Sequence, residues 1–421
     1  MNTPAVFTPY QKLVVALLAF LQFTIVLDFM ILSPLGAMLL EQLHITTQQF
    51  GLVVSAYAFS AGASGLLAAG FADRFDRKRL LLFFYVGFLV GTLCCGLAPD
   101  YRSLLIARIV TGLFGGVIGS ISMAIVADLF GIEVRGRVMG VVQSAFAASQ
   151  VLGIPLGLWL STRWGWHAPF LLITAVGVAV GFVILFRVRP IDAHLRDGQR
   201  RNAFKHLLST VARRPYLKGF AATIFLATGG FMLMPFGSAF AVNNLGVSLH
   251  QLPSVYVATG AFALIGGPII GRISDSVGKY RTLFVGTVVG ALLVLAYVQL
   301  GRTPLWIVIT LNVILFLAIS ARMISASALT SEVPAPQDRG AYMSVNSSVQ
   351  QISGGVASAL AGLIVVQTQS GKIERYDVLG YVVVLAMLAT LGFMYSIHRM
   401  IAARRRGPVA GGEIVERPAS G

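Results

Sequence analysis

From Leu13 to Leu40 the chain runs for 28 residues with a single charge, Asp28. A run that long and that apolar is stable as a helix in a membrane, because roughly 20 helical residues cross the ~30 Å of bilayer hydrocarbon. Apolar runs of this kind recur along the whole sequence. They do not alternate, which excludes membrane β-strands with their ~10-residue alternating segments. Charged residues make up only 11% of the chain and hydrophobic ones 56%, whereas a soluble domain carries about 25% charge.

Twelve spans are predicted, at 13–38, 49–71, 80–98, 103–129, 138–160, 166–187, 218–241, 252–272, 281–300, 304–329, 340–367 and 378–398. The first run is too long for a cleavable signal peptide and lacks a small-residue cleavage site after a short core. Lys and Arg set the orientation, since they concentrate in cytoplasmic loops. With the N-terminus cytoplasmic, 25 of the 32 basic residues fall on that side, and only Arg102, Arg163, Arg302, Lys372 and Arg375 fall outside. Arg108 and Arg322 lie within spans. The expectation is a multi-pass protein with both termini cytoplasmic. The net charge of +16 then reads as a topology signal, not a nucleic-acid surface. Cys94 and Cys95 are adjacent, with neither metal-ligand spacing nor the number a disulfide framework needs.

The longest polar break, 188–217, divides the chain into expected halves at 1–187 and 218–400. Phe204, Leu207, Leu208 and Val211 in the break follow helical spacing and suggest a surface helix, with a disordered linker as the alternative. The tail at 401–421 is expected to be disordered. The halves repeat. FMILSPLG from Phe29 matches FMLMPFGS from Phe231, 202 residues on. AGFADRFDRKR with Asp73 matches GRISDSVGKYR with Asp275, also 202 on. ADLFGIEVRGRVMG matches SEVPAPQDRGAYMS, pairing Asp128 with Glu332 and Arg135 with Arg339 at 204. Six spans per copy make a parallel repeat about an axis normal to the membrane, an architecture associated with transporters whose halves rock around a central site. Asp28 pairs with Gly230, so the second copy manages without that acid.

These motifs resemble the major facilitator superfamily, in particular its twelve-helix drug:proton antiporter branch and the related arabinose-efflux-permease-like proteins. The family signature after the second span, G-x-L-A-D-R-x-G-R-K, reads AGFADRFDRK here, with Asp73, Arg74, Arg77 and Lys78 in place and Asp76 where a glycine is usual. Arg108 and Gly112 match an R-x-x-x-G signature in the fourth span, and Gly153, Pro155 and Gly157 in GIPLG are similar to the antiporter signature of the fifth. The resemblance implies an all-α membrane protein of twelve transmembrane helices in two pseudo-symmetric six-helix bundles. It also implies a charge relay at the cytoplasmic end, expected at Asp73, Arg74, Arg77, Lys78, Asp128, Asp275, Glu332 and Arg339. Topology-setting loop charges are the plainer alternative.

Asp28 is the only one of sixteen acids deep in a span, where a carboxylate costs ~2.5–3.5 kcal/mol on insertion scales. Two readings follow: a proton carrier partnered by Arg108, or a static Asp28–Arg108 pair that fixes packing. Gly112/Gly116 and Gly115/Gly119 form interleaved small-xxx-small pairs suited to close helix approach. The substrate cavity is expected to draw on Met30, Gln143, Gln150, Phe231, Met232, Met234, Phe236, Arg322, Asn346 and Gln350. Thioethers and aromatics there can re-pack around varied apolar ligands. Arg322 is either an anion contact or a charge met by backbone carbonyls. No phosphate loop, metal-ligand set or nucleophile elbow is present. The expected function is therefore not enzymatic. It is export of small drug-like or sugar-like molecules in exchange for protons, by a monomer in the bacterial cytoplasmic membrane, with a proton gradient and no cofactor. Symport or uniport of a metabolite is the alternative.

Overall fold

The computed structural model describes residues 7–71, 74–192, 213–335 and 338–406. The expected surface helix in the linker, the tail beyond 406 and Asp73 lie outside them. The first half comprises α1 (Pro9–Ile31), α2 (Gly36–Gln42), α3 (Thr47–Phe71), α4 (Arg77–Gly96), α5 (Tyr101–Leu129), α6 (Ile132–Ala148), α7 (Ile154–Trp164) and α8 (Ala168–Arg187). The second comprises α9 (Arg214–Phe231), α10 (Gly237–Asn243), α11 (Leu252–Val277), α12 (Lys279–Tyr297), α13 (Leu305–Thr330), α14 (Arg339–Ile364) and α15 (Tyr376–Arg406). A two-residue hairpin pairs β1 (Val366–Gln367) with β2 (Ile373–Glu374).

Eleven stretches among the described residues are long and apolar enough to cross a membrane. α14, a 26-residue helix where the eleventh span is expected, is not among them. It carries Asn346, Ser347, Ser348, Gln350, Gln351 and Ser353, so it is too polar to qualify by hydropathy. A helix of that kind needs protein rather than lipid around it.

Three expected spans are interrupted, each at a proline. Pro34 has no N–H to continue the ladder, and the first span breaks into α1 and α2 three residues after Asp28. Pro235 breaks the seventh at the matching point, with a 3-10 turn at Met234–Phe236. In the fifth span Pro155 leaves the Val151 carbonyl without its usual donor, and the ladder widens to a π segment, Ser149–Gly153, in which Ile154 N–H donates to Ser149 O. π segments gather at functional sites, and this one carries Gln150.

The breaks do architectural work. A Cβ on Gly36 would lie 2.9 Å from both Phe50 and the Pro235 carbonyl, so the two broken segments touch. Ser238 Oγ donates to Ser33 O at 2.9 Å, and Thr47 Oγ1 to Val365 O at 2.6 Å. Phe50 packs edge-on against Phe236. One apolar cluster here takes residues from both halves. At the opposite end, which carries Arg77, Lys279 and most of the basic residues, the core splits into two clusters, one within each half. The halves are thus sealed together at the end remote from the basic residues.

Candidate functional site

Asp28 sits on the last turn of α1, and α5 brings Arg108 to it. Arg108 Nη1 lies 2.8 Å from Asp28 Oδ2, and it also donates to the Asp28 carbonyl at 3.2 Å. Both residues are fully buried, away from lipid. The pair is backed from α4 by Thr92, whose Oγ1 donates to Asp28 Oδ1 at 3.2 Å and to Phe88 O at 3.0 Å. From α3, the Tyr57 ring lies 4.6 Å beneath the Arg108 guanidinium, a desolvated cation–π contact. Tyr57 in turn packs on Phe29, and Phe29 on Phe231 of the second half, with ring centroids 5.1 and 5.8 Å apart. An unbroken set of contacts therefore joins the buried pair to the interface between halves.

Tyr57 and Thr92 escape a search for charges, because an aromatic and a hydroxyl are unremarkable in an apolar span. The close approach that assembles the site was more legible. An added Cβ on Gly112 would meet Tyr57 O at 2.5 Å, and one on Gly116 would meet Ala61 O at 2.4 Å, so α3 and α5 touch backbone to backbone. Gly153 and Gly157 face Leu27 and Ile31 of α1 at 2.6 and 2.5 Å, with Pro155 buried between them. The second small-residue pair is corrected by the structure: Gly115 faces Tyr57 and Phe88, whereas Gly119 faces open space.

At the basic end the described residues of each half hold an ion pair at the matching place. Arg77 Nε lies 3.2 Å from Asp128 Oδ2, and Lys279 Nζ lies 2.5 Å from Glu332 Oε1. Lys279 stands 202 residues after Arg77, so the repeat spacing contained it, but the motif match drew attention to Asp275 instead. Asp275 is exposed and makes no ion pair among the described residues, and the same holds for Arg74 and Arg339. Lys78 donates to Leu185 O rather than to an acid. Asp76 explains the missing glycine: it caps α4, accepting from Arg79 N at 2.8 Å, and also accepts from Ile191 N at 2.7 Å. The second copy keeps Gly278, at φ +111°. A third cluster went unforeseen, in which Asp338 accepts from Arg213 and from Tyr216 OH.

Burial separates the two first-half and second-half pairs energetically. The Arg77 side chain is 7% exposed and that of Lys279 30%. Arg77→Gln is expected to cost about 2–3 kcal/mol, toward the buried-pair regime, and Lys279→Gln no more than about 1 kcal/mol. Thermal unfolding of the purified variants checks this, and equal losses would show that burial does not set the strength of these contacts.

The expected cavity residues divide. Met232 and Phe236 are buried in the remote-end seal rather than exposed to a ligand, a correction that follows from the Pro235 break. Met30 is buried too, and Gln150 Nε2 approaches its sulfur at 3.7 Å. Phe231 packs on Phe29 and Gly354, and Met234 is half-buried at the same seam. Asn346 accepts from Thr223 Oγ1 at 2.7 Å, an interhelical bond between α14 and α9. Gln350 is half-buried and Gln143 exposed, and neither side chain is bonded among the described residues. Arg322 is buried in the second half. No group of three or more His, Cys, Asp or Glu suited to a metal occurs among the described residues.

The family model of the major facilitator superfamily matches residues 18–358 and, in a second register, 219–411. The chain belongs to the major facilitator superfamily. A putative transporter of Escherichia coli K12, AraJ, is 30% identical over 251 residues, 59% of this chain and 61% of that protein. An uncharacterised transporter of the superfamily from Bacillus subtilis 168, YceJ, is 24% identical over 88% of this chain and 94% of its own. Among solved structures, a bacterial homologue of the human lysosomal transporter Spinster, inward-facing and occupied, aligns with a TM-score of 0.71 at 16% identity, covering 95% of this chain and 98% of that one. The nucleoside transporter NupG aligns at 0.72 and 12%, covering 92% and 99%. The fold is that of the superfamily, and the protein is a multi-pass membrane transporter.

Proposed function

We propose that this transporter exports small organic molecules in exchange for protons by alternating access, with Asp28 as the proton carrier. The two six-helix halves, 1–187 and 218–400, rock about the linker 188–217 in a bacterial cytoplasmic membrane, with both termini cytoplasmic and the protein monomeric. The observation that carries the reading is the buried carboxylate and its hydroxyl neighbour. Asp28 accepts from Thr92 when ionised. When protonated on Oδ1 it can donate to Thr92 instead, because the Thr92 hydroxyl already has Phe88 O as a second acceptor. Arg108 keeps its bond to Oδ2 in both states. The Asp28 carboxyl and the Thr92 hydroxyl thus keep hydrogen-bond partners in either charge state, as a group that loads and unloads a proton must.

The ion pairs at the basic end supply the switch. On the proposed orientation that end is cytoplasmic, and the conformation described is sealed on the outside. Arg77–Asp128 and Lys279–Glu332 each join two helices within one half, and a bistable arrangement needs only a few kcal/mol between its settings to gate access.

The sign of the proton movement tests the exchange. In proteoliposomes without imposed gradients, a substrate that enters from outside should acidify the external medium as protons leave the lumen. A panel of lipophilic cations, neutral sugars and organic acids provides the candidates. External alkalinisation on substrate entry would establish symport instead, and uptake with no pH change uniport.

A further inference from the structure

Arg322 lies on α13 with 1% of its surface exposed, and its Nε and Nη2 have no hydrogen-bond acceptor. No carboxylate pairs with it among the described residues. Among the described residues no backbone carbonyl accepts from Nε or Nη2 either. A guanidinium remains charged, and a buried charge with neither a counter-ion nor acceptors is strongly unfavourable. Arg108 provides the comparison within the same molecule. It too has Nε and Nη2 without acceptors, but Asp28 meets its charge from the first broken helix.

In the second half the broken helix offers glycine instead. A Cβ on Gly229 would lie 3.4 Å from Arg322 Nη2 and 3.9 Å from Nη1, ordinary contact distances, and a Cβ on the next residue, Gly230, would meet nothing within 4 Å. The helix therefore presents bare backbone beside the guanidinium, with the Met387 side chain 3.7 Å from the same Gly229 Cβ position. Nε and Nη2 form one edge of the guanidinium, the edge that takes a carboxylate or phosphate as two parallel hydrogen bonds.

We propose that Arg322 is an anion-recognition group of the transport site, completed by the cargo itself, so that the exported molecule carries a carboxylate or phosphoryl oxyanion. This rests on reading the chain as an exporter of small organic molecules and narrows their class. The cargo's oxyanion approaches the guanidinium along the bare backbone of Gly229, where no acidic side chain stands, and brings the acceptors the two orphaned donors require.

Thermal unfolding of the purified full-length chain tests this. Acetate, gluconate, inorganic phosphate and glucose 6-phosphate are titrated at constant ionic strength against chloride, with glucose as the uncharged control. At least one oxyanion should raise the midpoint by about 2–4 °C in a saturable way, and glucose should not. The carboxylate and phosphate arms tell the two headgroups apart. Arg322→Gln, which removes a charge the fold leaves unpaired, should abolish the shift. Gly229→Asp should abolish it too, by supplying the counter-ion in cis. Arg322→Lys, which keeps the charge but loses the two-donor edge, should retain only a minor part of it. Absence of any oxyanion shift in the native chain, or a shift that survives Arg322→Gln, overturns the proposal; if Gly229→Asp does not fold, Arg322→Gln decides alone. The measurement is made without a gradient, so its failure leaves proton exchange to be judged by the proteoliposome assay.

Discussion

Asp28→Asn is expected to abolish gradient-driven accumulation while leaving the protein folded and able to exchange substrate across equal concentrations. The amide is nearly isosteric with the protonated carboxyl. Its oxygen keeps the 2.8 Å bond from Arg108, and its nitrogen can donate to Thr92, which retains Phe88 O as its own acceptor. The site is therefore held in its proton-loaded form. Removing the whole carboxyl group, as in Asp28→Leu, is a different experiment, because it leaves Arg108 buried with neither a counter-ion nor the acceptor oxygen that asparagine keeps, at a cost of about 3–5 kcal/mol. The size of the functional loss follows from the drive. One proton crossing 100 mV yields about 2.3 kcal/mol, and each pH unit adds about 1.4 kcal/mol. Coupling to one proton thus sustains a concentration ratio of roughly two to three orders of magnitude, and Asp28→Asn should bring that ratio to one. Counterflow with labelled substrate, measured beside pH-driven transport, separates the two behaviours. Undiminished pH-driven accumulation by Asp28→Asn would show that the pair is only a packing element.

The spans were legible in the sequence because hydrophobic length is a one-dimensional property, and the helix limits observed lie within a few residues of those expected for most of them. The exceptions are chemical. Pro34, Pro155 and Pro235 interrupt spans that hydropathy treats as continuous, and α14 is present although its polarity disqualifies it by the same measure. The pairing of Asp28 with Arg108 followed from comparing their depths, because two isolated charges in hydrocarbon have few other ways to be met. The partners that shape the pair, Tyr57 and Thr92, carry no charge and gave no signal. Motif matching misdirected the reading of the second-half ion pair. Asp275 occupies the signature position, yet the contact is made by Lys279, which the repeat spacing had placed opposite Arg77. Met232 and Phe236 show the reverse problem: their types suit a ligand cavity, but the Pro235 break turns them into the seal.

Gly116→Ala is expected to destabilise the protein by about 3 kcal/mol, near the upper end of the usual overpacking range, although it adds a single methyl group. The new Cβ would stand 2.4, 2.6 and 2.8 Å from the O, Cα and C atoms of Ala61. These are backbone atoms of α3 and have no rotamer to change, so relief requires α3 and α5 to separate. That separation would also move Tyr57, four residues before Ala61 on the same helix, away from Arg108. Gly119→Ala, three residues further along α5, should do the opposite. Its Cβ meets nothing within 4 Å, and replacing glycine within a helix gains about 0.5–1 kcal/mol from lower backbone entropy in the unfolded chain. The two substitutions are chemically identical and share a helix, so propensity and hydrophobicity cancel between them and only the contact with α3 differs. Thermal midpoints in the same detergent should fall for Gly116→Ala and rise slightly for Gly119→Ala. A similar midpoint for both would mean that α3 and α5 are not in backbone contact at Ala61, and the Tyr57 support of the buried pair would lose its structural basis.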